Sequence, residues 1–101
     1  MKKKLAYSVK FGSNKPKKYL KKLKDKKLKK RFSDLIYKDI AIDPYSGDPK
    51  EGNLATIYTK KLWYQRTQYR VGYTIKEDGT IIIILLIGTR ENFYEELRRL
   101  L

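Results

Sequence analysis

The sequence predicts an α+β fold, in which an antiparallel-rich sheet of about four strands packs with an N-terminal helical hairpin and a C-terminal helix. Three observations carry this prediction. Apolar residues alternate at the start of the chain, they then recur at helical spacing up to about residue 41, and three strand-like segments follow from about residue 56. The predicted order is β-α-α-β-β-β-α. Because no repeat or linker divides the chain, we expect residues 1–101 to form a single domain.

The N-terminal elements follow from periodicity and capping residues. Leu5–Phe11 is predicted to be a half-buried strand, since its apolar and polar side chains alternate. Pro16 suits the first turn of the next helix. Apolar residues recur at helical spacing over 15–24 and 26–41, and Asp25 between these ranges is suited to cap the second helix. The two ranges predict a helical hairpin with a Lys-rich outer face.

The strands of the C-terminal half are separated by turn residues. Asp43–Pro49 is rich in Asp, Pro, Gly and Ser and predicts a turn that ends the helical region. The three predicted strands cover about 56–65, 68–76 and 80–88. Lys76-Glu77-Asp78-Gly79 favours a hairpin between the last two.

The last strand and the last helix differ in hydropathy from what precedes them. Ile81–Ile87 is too apolar for a surface strand, so we expect it to be central and covered on both faces. A final helix is predicted over 90–101, with Thr89 as a candidate N-cap. The longest apolar run is far too short to cross a bilayer and no secretory signal is visible, so a cytoplasmic location is expected.

The net charge indicates the kind of partner, and the residue types that the chain lacks exclude several kinds of site. The net charge is +14, and 15 of the 25 Lys and Arg lie in the first 31 residues, where Asp25 is the only acid. Such charge predicts a polyanionic partner (nucleic acid, ribosome, anionic membrane or acidic protein) without choosing among them. There is no Cys and no His, which excludes a disulfide scaffold, a zinc enzyme and a Ser-His-Asp hydrolase. We therefore expect neither metal nor cofactor.

Three motifs, in this order along the chain, resemble those of the RelE/ParE toxins. Asp43–Pro49 is similar to that family's "NPYSGKP" segment. Leu62–Arg66 followed by Tyr69–Tyr73 resembles its "LWKLR…YRVIY" strand pair, and Ile87–Tyr94 resembles its "GHRxxxY" ending. No single motif is specific, but together with the short strand and the Lys-rich helical hairpin that precede Asp43 they span almost the whole chain. The resemblance implies a toxin that a cognate acidic antitoxin holds inactive.

The resemblance also implies a set of catalytic residues. Arg70 and Arg90 match arginines that stabilise the phosphate in RelE-like members. Tyr94 matches a tyrosine that is implicated there in transferring a proton or in stacking on a base. Arg66 falls where relatives carry a basic residue on the preceding strand, in an alignment that places the hairpin loop at Thr67-Gln68. Thr89 stands where many members have His, which puts in doubt how many proton donors are active. Each residue also has a structural interpretation, as a solvated surface charge or a core tyrosine.

Lysines supply further candidate contacts to RNA or the ribosome. Lys60 and Lys61 are adjacent, so on a strand at most one of them can reach a shared cleft. The outer face of the helical hairpin offers Lys18, Lys22 and Lys29, which are most simply solvated surface charges. Aromatic residues near the predicted arginines, Tyr58, Trp63, Tyr64, Tyr69 and Tyr73, are candidates to stack bases or to fill the core.

Three functions remain open from the sequence. The leading hypothesis is a ribosome-dependent mRNA endonuclease that inhibits translation. Without His or a metal it would need Tyr, Lys or a carboxyl group to move protons and Arg to stabilise the phosphate. The second is a ParE-like toxin that inhibits DNA gyrase without nuclease activity. The third is a plain basic RNA-binding module that shares only the fold.

Overall fold

The computed structural model describes residues 6–51, 56–76 and 78–100, which form a five-stranded mixed sheet with helices on both faces. The strands are β1 (Ser8–Phe11), β2 (Asp48–Glu51), β3 (Thr56–Tyr64), β4 (Thr67–Ile75) and β5 (Ile81–Thr89). The helices are α1 (Asn14–Lys22), α2 (Lys26–Asp34) and α3 (Phe93–Arg99). The order in the sheet is β1-β5-β4-β3-β2. β1 is parallel to β5 and the other neighbours are antiparallel, which confirms the predicted α+β class.

Both helices of the hairpin have side-chain caps, and the cap by Asp25 is the one that the sequence predicts. The Ser13 hydroxyl accepts a hydrogen bond from the Lys15 amide, and the Asp25 carboxylate accepts from the amides of Lys27 and Leu28. α2 runs without a break into a π-helical segment, Leu35–Ile40. Side-chain caps of this kind are worth about 1 kcal/mol each, so these two residues help to fix where the hairpin turns.

Both faces of the sheet are covered, by different helices. The face under α1 and α2 buries the larger cluster, which includes Phe32, Ile36, Val71, Tyr73 and Ile84. The opposite face, called the α3 face below, buries a smaller cluster of Ile57, Leu86, Phe93 and Leu97. β5 contributes to both clusters, which confirms that it is a central strand covered on both sides.

Gly72 lets α3 approach the sheet closely. A Cβ atom at this position would stand 3.2 Å from side-chain atoms of both Phe93 and Leu97. That spacing is tighter than ordinary van der Waals contact, so any larger residue would push α3 outward. The glycine in β4 therefore sets the height of α3, and with it the position of Tyr94, above the strands.

The predicted turn at Asp43–Pro49 is partly wrong. Pro44–Ser46 is a short 3-10 turn, but Asp48–Glu51 forms β2, which the sequence does not predict. Asp-Pro is typical of turns, yet proline is tolerated on an edge strand because its missing N–H can face away from the partner. β2 is such an edge strand and pairs only with β3.

The hairpin between β3 and β4 is shifted from its predicted place. The two-residue turn is Gln65-Arg66, both with positive φ (46° and 68°), whereas Thr67 and Gln68 lie in β4. Positive φ at both positions is the backbone of a type I′ turn, which normally uses Asn or Gly. Gln-Arg carries no such signal, so the sequence misplaces the loop.

The last helix starts later than predicted. Thr89 ends β5, and the N-cap of α3 is Asn92, whose side chain makes no capping hydrogen bond. The Arg90 amide donates to the Gln68 carbonyl, so pairing with β4 continues past Thr89 and delays the helix. The parts of the predicted elements at Leu5, Glu77 and Leu101 lie outside the described residues. Within the described part of the chain, every helix is too short and too polar to span a bilayer.

Candidate active site

Three neighbouring strands bring Lys61, Arg70 and Gly88 into one row of the sheet. Arg70 on β4 is paired with Lys61 on β3 and with Gly88 on β5. Directly opposed residues in antiparallel strands project to the same side. Arg70 contacts Tyr94 of α3, so Lys61 also lies on the α3 face.

Arg70 is the centre of the hydrogen-bond network on this face. Its side chain is 9% exposed. Its Nε and Nη2 atoms donate to the Gln68 side-chain oxygen at 3.1 and 2.7 Å, and its Nη1 donates to the Tyr94 hydroxyl. The guanidinium carbon also lies 4.9 Å from the centre of the Tyr94 ring. Two neutral side chains therefore hold the guanidinium.

Among the described residues, no carboxylate forms an ion pair with Arg70. Buried arginines are normally paired with an acid, because leaving a charge in a partly dry site is costly. Lys50 on β2, which forms an ion pair with Asp48 at 3.2 Å, also places its Nζ 5.5 Å from the centre of the Tyr94 ring. The guanidinium of Arg70 makes this part of the α3 face suited to an anionic ligand.

Arg66 and Arg90 line a groove next to this network. The groove encloses about 550 Å³ and is also lined by Trp63, Thr67, Gln68, Thr89 and Glu91. Both arginines are exposed. Gln68 connects the two parts of the site, since its side chain binds Arg70 and its carbonyl accepts from the Arg90 amide at 3.1 Å. Arg66, Arg70, Arg90 and Tyr94 thus cluster at one end of the sheet.

Arg66 reaches the groove from a different place than expected. The resemblance puts a basic residue on the strand, whereas Arg66 lies at the second position of the turn with φ 68°. A non-glycine residue in the left-handed region costs roughly 1–2 kcal/mol. Arg66 thus lies in the turn that follows the strand, and its side chain still lines the groove.

Lys60 and Lys61 face opposite sides of β3. Lys60 donates to the Asp39 carboxylate at 3.2 Å, which places it on the side of the helical hairpin. Lys61 is exposed and shares its row with Arg70. Only Lys61 of this pair is therefore on the α3 face.

The lysines of the helical hairpin lie away from the groove. Lys18, Lys22 and Lys29 are exposed on α1 and α2, which cover the opposite face of the sheet. The structure thus separates them from Arg70 and leaves them as a basic outer surface.

The end of β3 that carries Trp63 is held from behind by the helical hairpin. Arg31 Nη2 donates to the Trp63 carbonyl at 3.1 Å, and the Tyr64 hydroxyl donates to the Asp25 carboxylate, 2.9 Å from its nearer oxygen. The Leu28 amide and then the Tyr64 hydroxyl hold the pKa of Asp25 below its ordinary value. Burial, followed by the hydrogen bond to Asp25, raises the pKa of Tyr64.

Two residues of the site are not foreseen from the sequence. Gln68 begins the predicted strand 68–76, although the alignment to the family places it in the hairpin loop, and neither interpretation predicts that its side chain binds Arg70. Lys50 was assigned to no element, because β2 itself was missed. The alternation Gln68-x-Arg70 is a sequence signal that finds Gln68 once the turn is placed correctly, since residues two apart share a face.

Comparison with known proteins assigns the chain to a family. The model of the "ParE-like toxin of type II bacterial toxin-antitoxin system" family matches residues 11–98. No curated protein matches the sequence.

Solved structures of related fold are RelE toxins. The free form of an arginine double mutant of the Escherichia coli toxin RelE has a TM-score of 0.72 and 20% identity, covering 96% of this chain and 100% of that one. A RelB–RelE toxin–antitoxin complex of Mycobacterium tuberculosis has a TM-score of 0.68 and 23% identity, and the match covers 85% of this chain and 100% of that one. The archaeal RelE–RelB complex of Pyrococcus horikoshii has a TM-score of 0.60 and 23% identity, and the match covers 86% of this chain and 98% of that one.

At such identities these structures support the fold alone, whereas the family model covers most of the chain. The protein belongs to the ParE-like toxins of type II bacterial toxin–antitoxin systems, within the RelE/ParE superfamily.

Proposed function

We propose that the protein is a metal-independent endoribonuclease that cleaves mRNA in the ribosomal A site and so inhibits translation. The observation that carries the proposal is the buried Arg70, whose hydrogen-bond partners are the neutral side chains of Gln68 and Tyr94. A purely structural arginine at this depth is normally paired with an acid. Its charge next to two exposed arginines favours a phosphate ligand.

Exposed cations make the first contact in this proposal. Arg66 and Arg90 line the open groove, and Lys61 on β3 is the cross-strand partner of Arg70. The phosphate then reaches Arg70 by displacing the Tyr94 hydroxyl from Nη1. Gln68 keeps the guanidinium oriented during this exchange, because it holds Nε and Nη2 and leaves Nη1 for the phosphate.

The proposed reaction is attack of the ribose 2′-OH on the adjacent phosphorus. The 2′-oxygen loses its proton to a base and bonds to phosphorus, the bond to the 5′-oxygen breaks, and that oxygen takes a proton. The products are a 2′,3′-cyclic phosphate and a 5′-OH. In this scheme the Tyr94 hydroxyl, which would lie beside the phosphate held by Arg70, donates its proton to the departing 5′-oxygen, and the 2′-OH proton passes to water. Arg70 and Arg90 stabilise the charge that develops on the phosphate oxygens.

The Lys-rich outer surface supports a ribosome as the place of action. Lys18, Lys22 and Lys29 are exposed on the side away from the groove. A ribosome-bound toxin would contact rRNA with this surface while mRNA occupies the groove. Contacts of this kind weaken steeply with salt.

An acidic antitoxin is the second partner of the proposal. The net charge is +14, and the M. tuberculosis and P. horikoshii structures are complexes with an antitoxin. A short acidic protein encoded by the gene next to that of this chain would be the expected antitoxin.

Expression of the chain in a bacterial host, with the ends of cellular mRNA mapped, tests the proposal. We expect growth arrest with new 5′ ends inside translated codons. Growth arrest with intact mRNA would contradict it.

Inhibition of DNA gyrase without nuclease activity is the second candidate function. It is favoured by the description of the matching family as ParE-like. Its expected outcome is DNA damage with intact mRNA, which the same expression experiment distinguishes.

A further inference from the structure

We infer that Trp63 is a stacking platform for one nucleobase of the RNA, next to the phosphate held by Arg70 and Arg90. The inference rests on the proposed function in one respect, namely that single-stranded RNA occupies the groove. It adds a base-recognition site to a set of residues that otherwise contacts only phosphate and ribose.

The exposure of Trp63 is the first observation. Its side chain is 57% exposed, although indole is the largest apolar group of any residue. Tyr45 is exposed to a similar degree but packs edge-on against Tyr58, with ring centres 5.9 Å apart. None of the aromatic pairs or cation–π contacts among the described residues includes Trp63. Single exposed aromatic residues are common, so the surroundings must decide.

The surroundings of Trp63 are those of a nucleotide site. The indole lines the 550 Å³ groove together with Arg66 and Arg90. Trp63 is paired with Gln68 across the strands, and Gln68 binds Arg70. A flat apolar group beside cations is the combination that binds single-stranded nucleic acid, because bases stack while phosphates pair.

The backbone of Trp63 is fixed while its side chain is free. Arg31 holds the Trp63 carbonyl, and the next residue, Tyr64, is tied to Asp25 at the cap of α2. Both anchors come from the helical hairpin on the other side of the sheet. Because the backbone is already fixed, only the two side-chain torsions of the tryptophan have to be ordered when it binds a base, which favours a binding role over a solvated one.

The charge of the groove favours RNA over an apolar protein partner. Two arginines and one acid, Glu91, line it, so its net charge is positive. An antitoxin segment that covers Trp63 is the competing occupant, and the experiment below separates the two.

Trp63 is the only tryptophan of the chain, so its fluorescence reports on this site alone. The ligand for the titration is a short single-stranded oligoribonucleotide with 2′-O-methyl groups, which block cleavage. We expect saturable quenching of the fluorescence. An abasic sugar-phosphate oligomer of equal length, followed by the anisotropy of an end label, should bind without quenching.

Substitutions provide the matched comparison. Trp63→Ala should weaken binding of the oligoribonucleotide by roughly 5- to 150-fold, and Trp63→Phe by less, because a smaller ring still stacks. Tyr45→Ala is the control, since Tyr45 is equally exposed and does not line the groove. It should bind like the unaltered protein. Circular dichroism checks that each variant is folded.

Several outcomes would overturn the inference. Binding without any change in fluorescence, no binding at all, or unaltered binding by Trp63→Ala would each do so. If Trp63→Ala weakens only neutralisation by the antitoxin, Trp63 is a protein contact instead. Quenching by the oligonucleotide without mRNA cleavage would refute the nuclease and leave the stacking site. Unaltered cleavage ends and rates with Trp63→Ala would refute stacking and leave the nuclease.

Discussion

The side-chain oxygen of Gln68 accepts two hydrogen bonds from the guanidinium of Arg70, so a neutral residue holds a buried cation. This contact is consistent with the proposed role of Arg70 in binding a phosphate, because a structural arginine at this depth is normally paired with an acid. A carboxylate in place of the amide would hold the arginine just as well and would cancel its charge. The difference between the two residues can therefore be measured.

Gln68→Glu should keep the fold and lose activity. Charge-assisted hydrogen bonds are stronger than neutral ones, so the free energy of unfolding should stay equal or rise. The added negative charge opposes phosphate binding, and we expect cleavage to fall by roughly tenfold or more. Urea unfolding and cleavage in a translation reaction measure the two effects. Unchanged cleavage would mean that Arg70 is structural.

Gln68→Ala is the companion variant, with a different expected result. It leaves Nε and Nη2 of Arg70 without their acceptor, which should cost about 1–3 kcal/mol of stability. Both stability and cleavage should fall. A variant that loses cleavage without losing stability would contradict the described contact.

Arg66→Gly should stabilise the protein and weaken its activity. Glycine removes the strain of a positive φ, a gain of about 1 kcal/mol, and it also removes a cation of the groove. Gln65→Gly is the matched control, because it relieves the same turn and keeps Arg66. We expect a rise in the unfolding midpoint for both and slower cleavage only for Arg66→Gly. Equal cleavage by the two variants would exclude a role for Arg66.

Lys60 and Lys61 form a natural pair of test and control. Lys61→Ala should slow cleavage, because Lys61 shares a row with Arg70 on the α3 face. Lys60→Ala breaks an ion pair with Asp39 on the other face and should leave cleavage unchanged, with a stability loss of at most about 1 kcal/mol. Cleavage rates of both variants decide the matter. Slower cleavage by Lys60→Ala than by Lys61→Ala would contradict the assignment of the two lysines to opposite faces of β3.

The Asp25 carboxylate should make stability depend on pH in the acid range. Hydrogen bonds from the Leu28 amide and the Tyr64 hydroxyl lower its pKa in the folded state. The stabilisation is therefore complete above the unfolded-state pKa of about 4 and is lost as pH falls through the lowered value. Asp25→Asn still caps α2 but does not titrate. The difference in urea midpoint between the unaltered protein and Asp25→Asn should shrink as the pH falls from about 5 to about 2.5. A constant difference would refute the assignment.

The sequence predicts the fold class and most of the site because their signals are local. Alternation and helical spacing locate β1, α1, α2 and β5, and the motif containing Tyr69-Arg70 supplies the central arginine. β2 is missed because Asp-Pro looks like a turn unless the neighbouring strand is known. The Gln65-Arg66 turn is missed because strand register, not turn residues, forces positive φ there. The role of Gln68 is missed although the predicted strand 68–76 includes it, since that role appears only when its side chain is seen beside Arg70.

Mapping of cleavage ends on ribosome-bound mRNA tests the central claim most directly. The unaltered protein should cut within the A-site codon, whereas Arg90→Ala and Tyr94→Phe should each cut at least about 100-fold more slowly, because one loses a phosphate contact and the other the proton carrier. Both substituted residues are at least partly exposed, so both variants should fold. Intact mRNA with the unaltered protein, or undiminished cutting by both variants, would contradict the account.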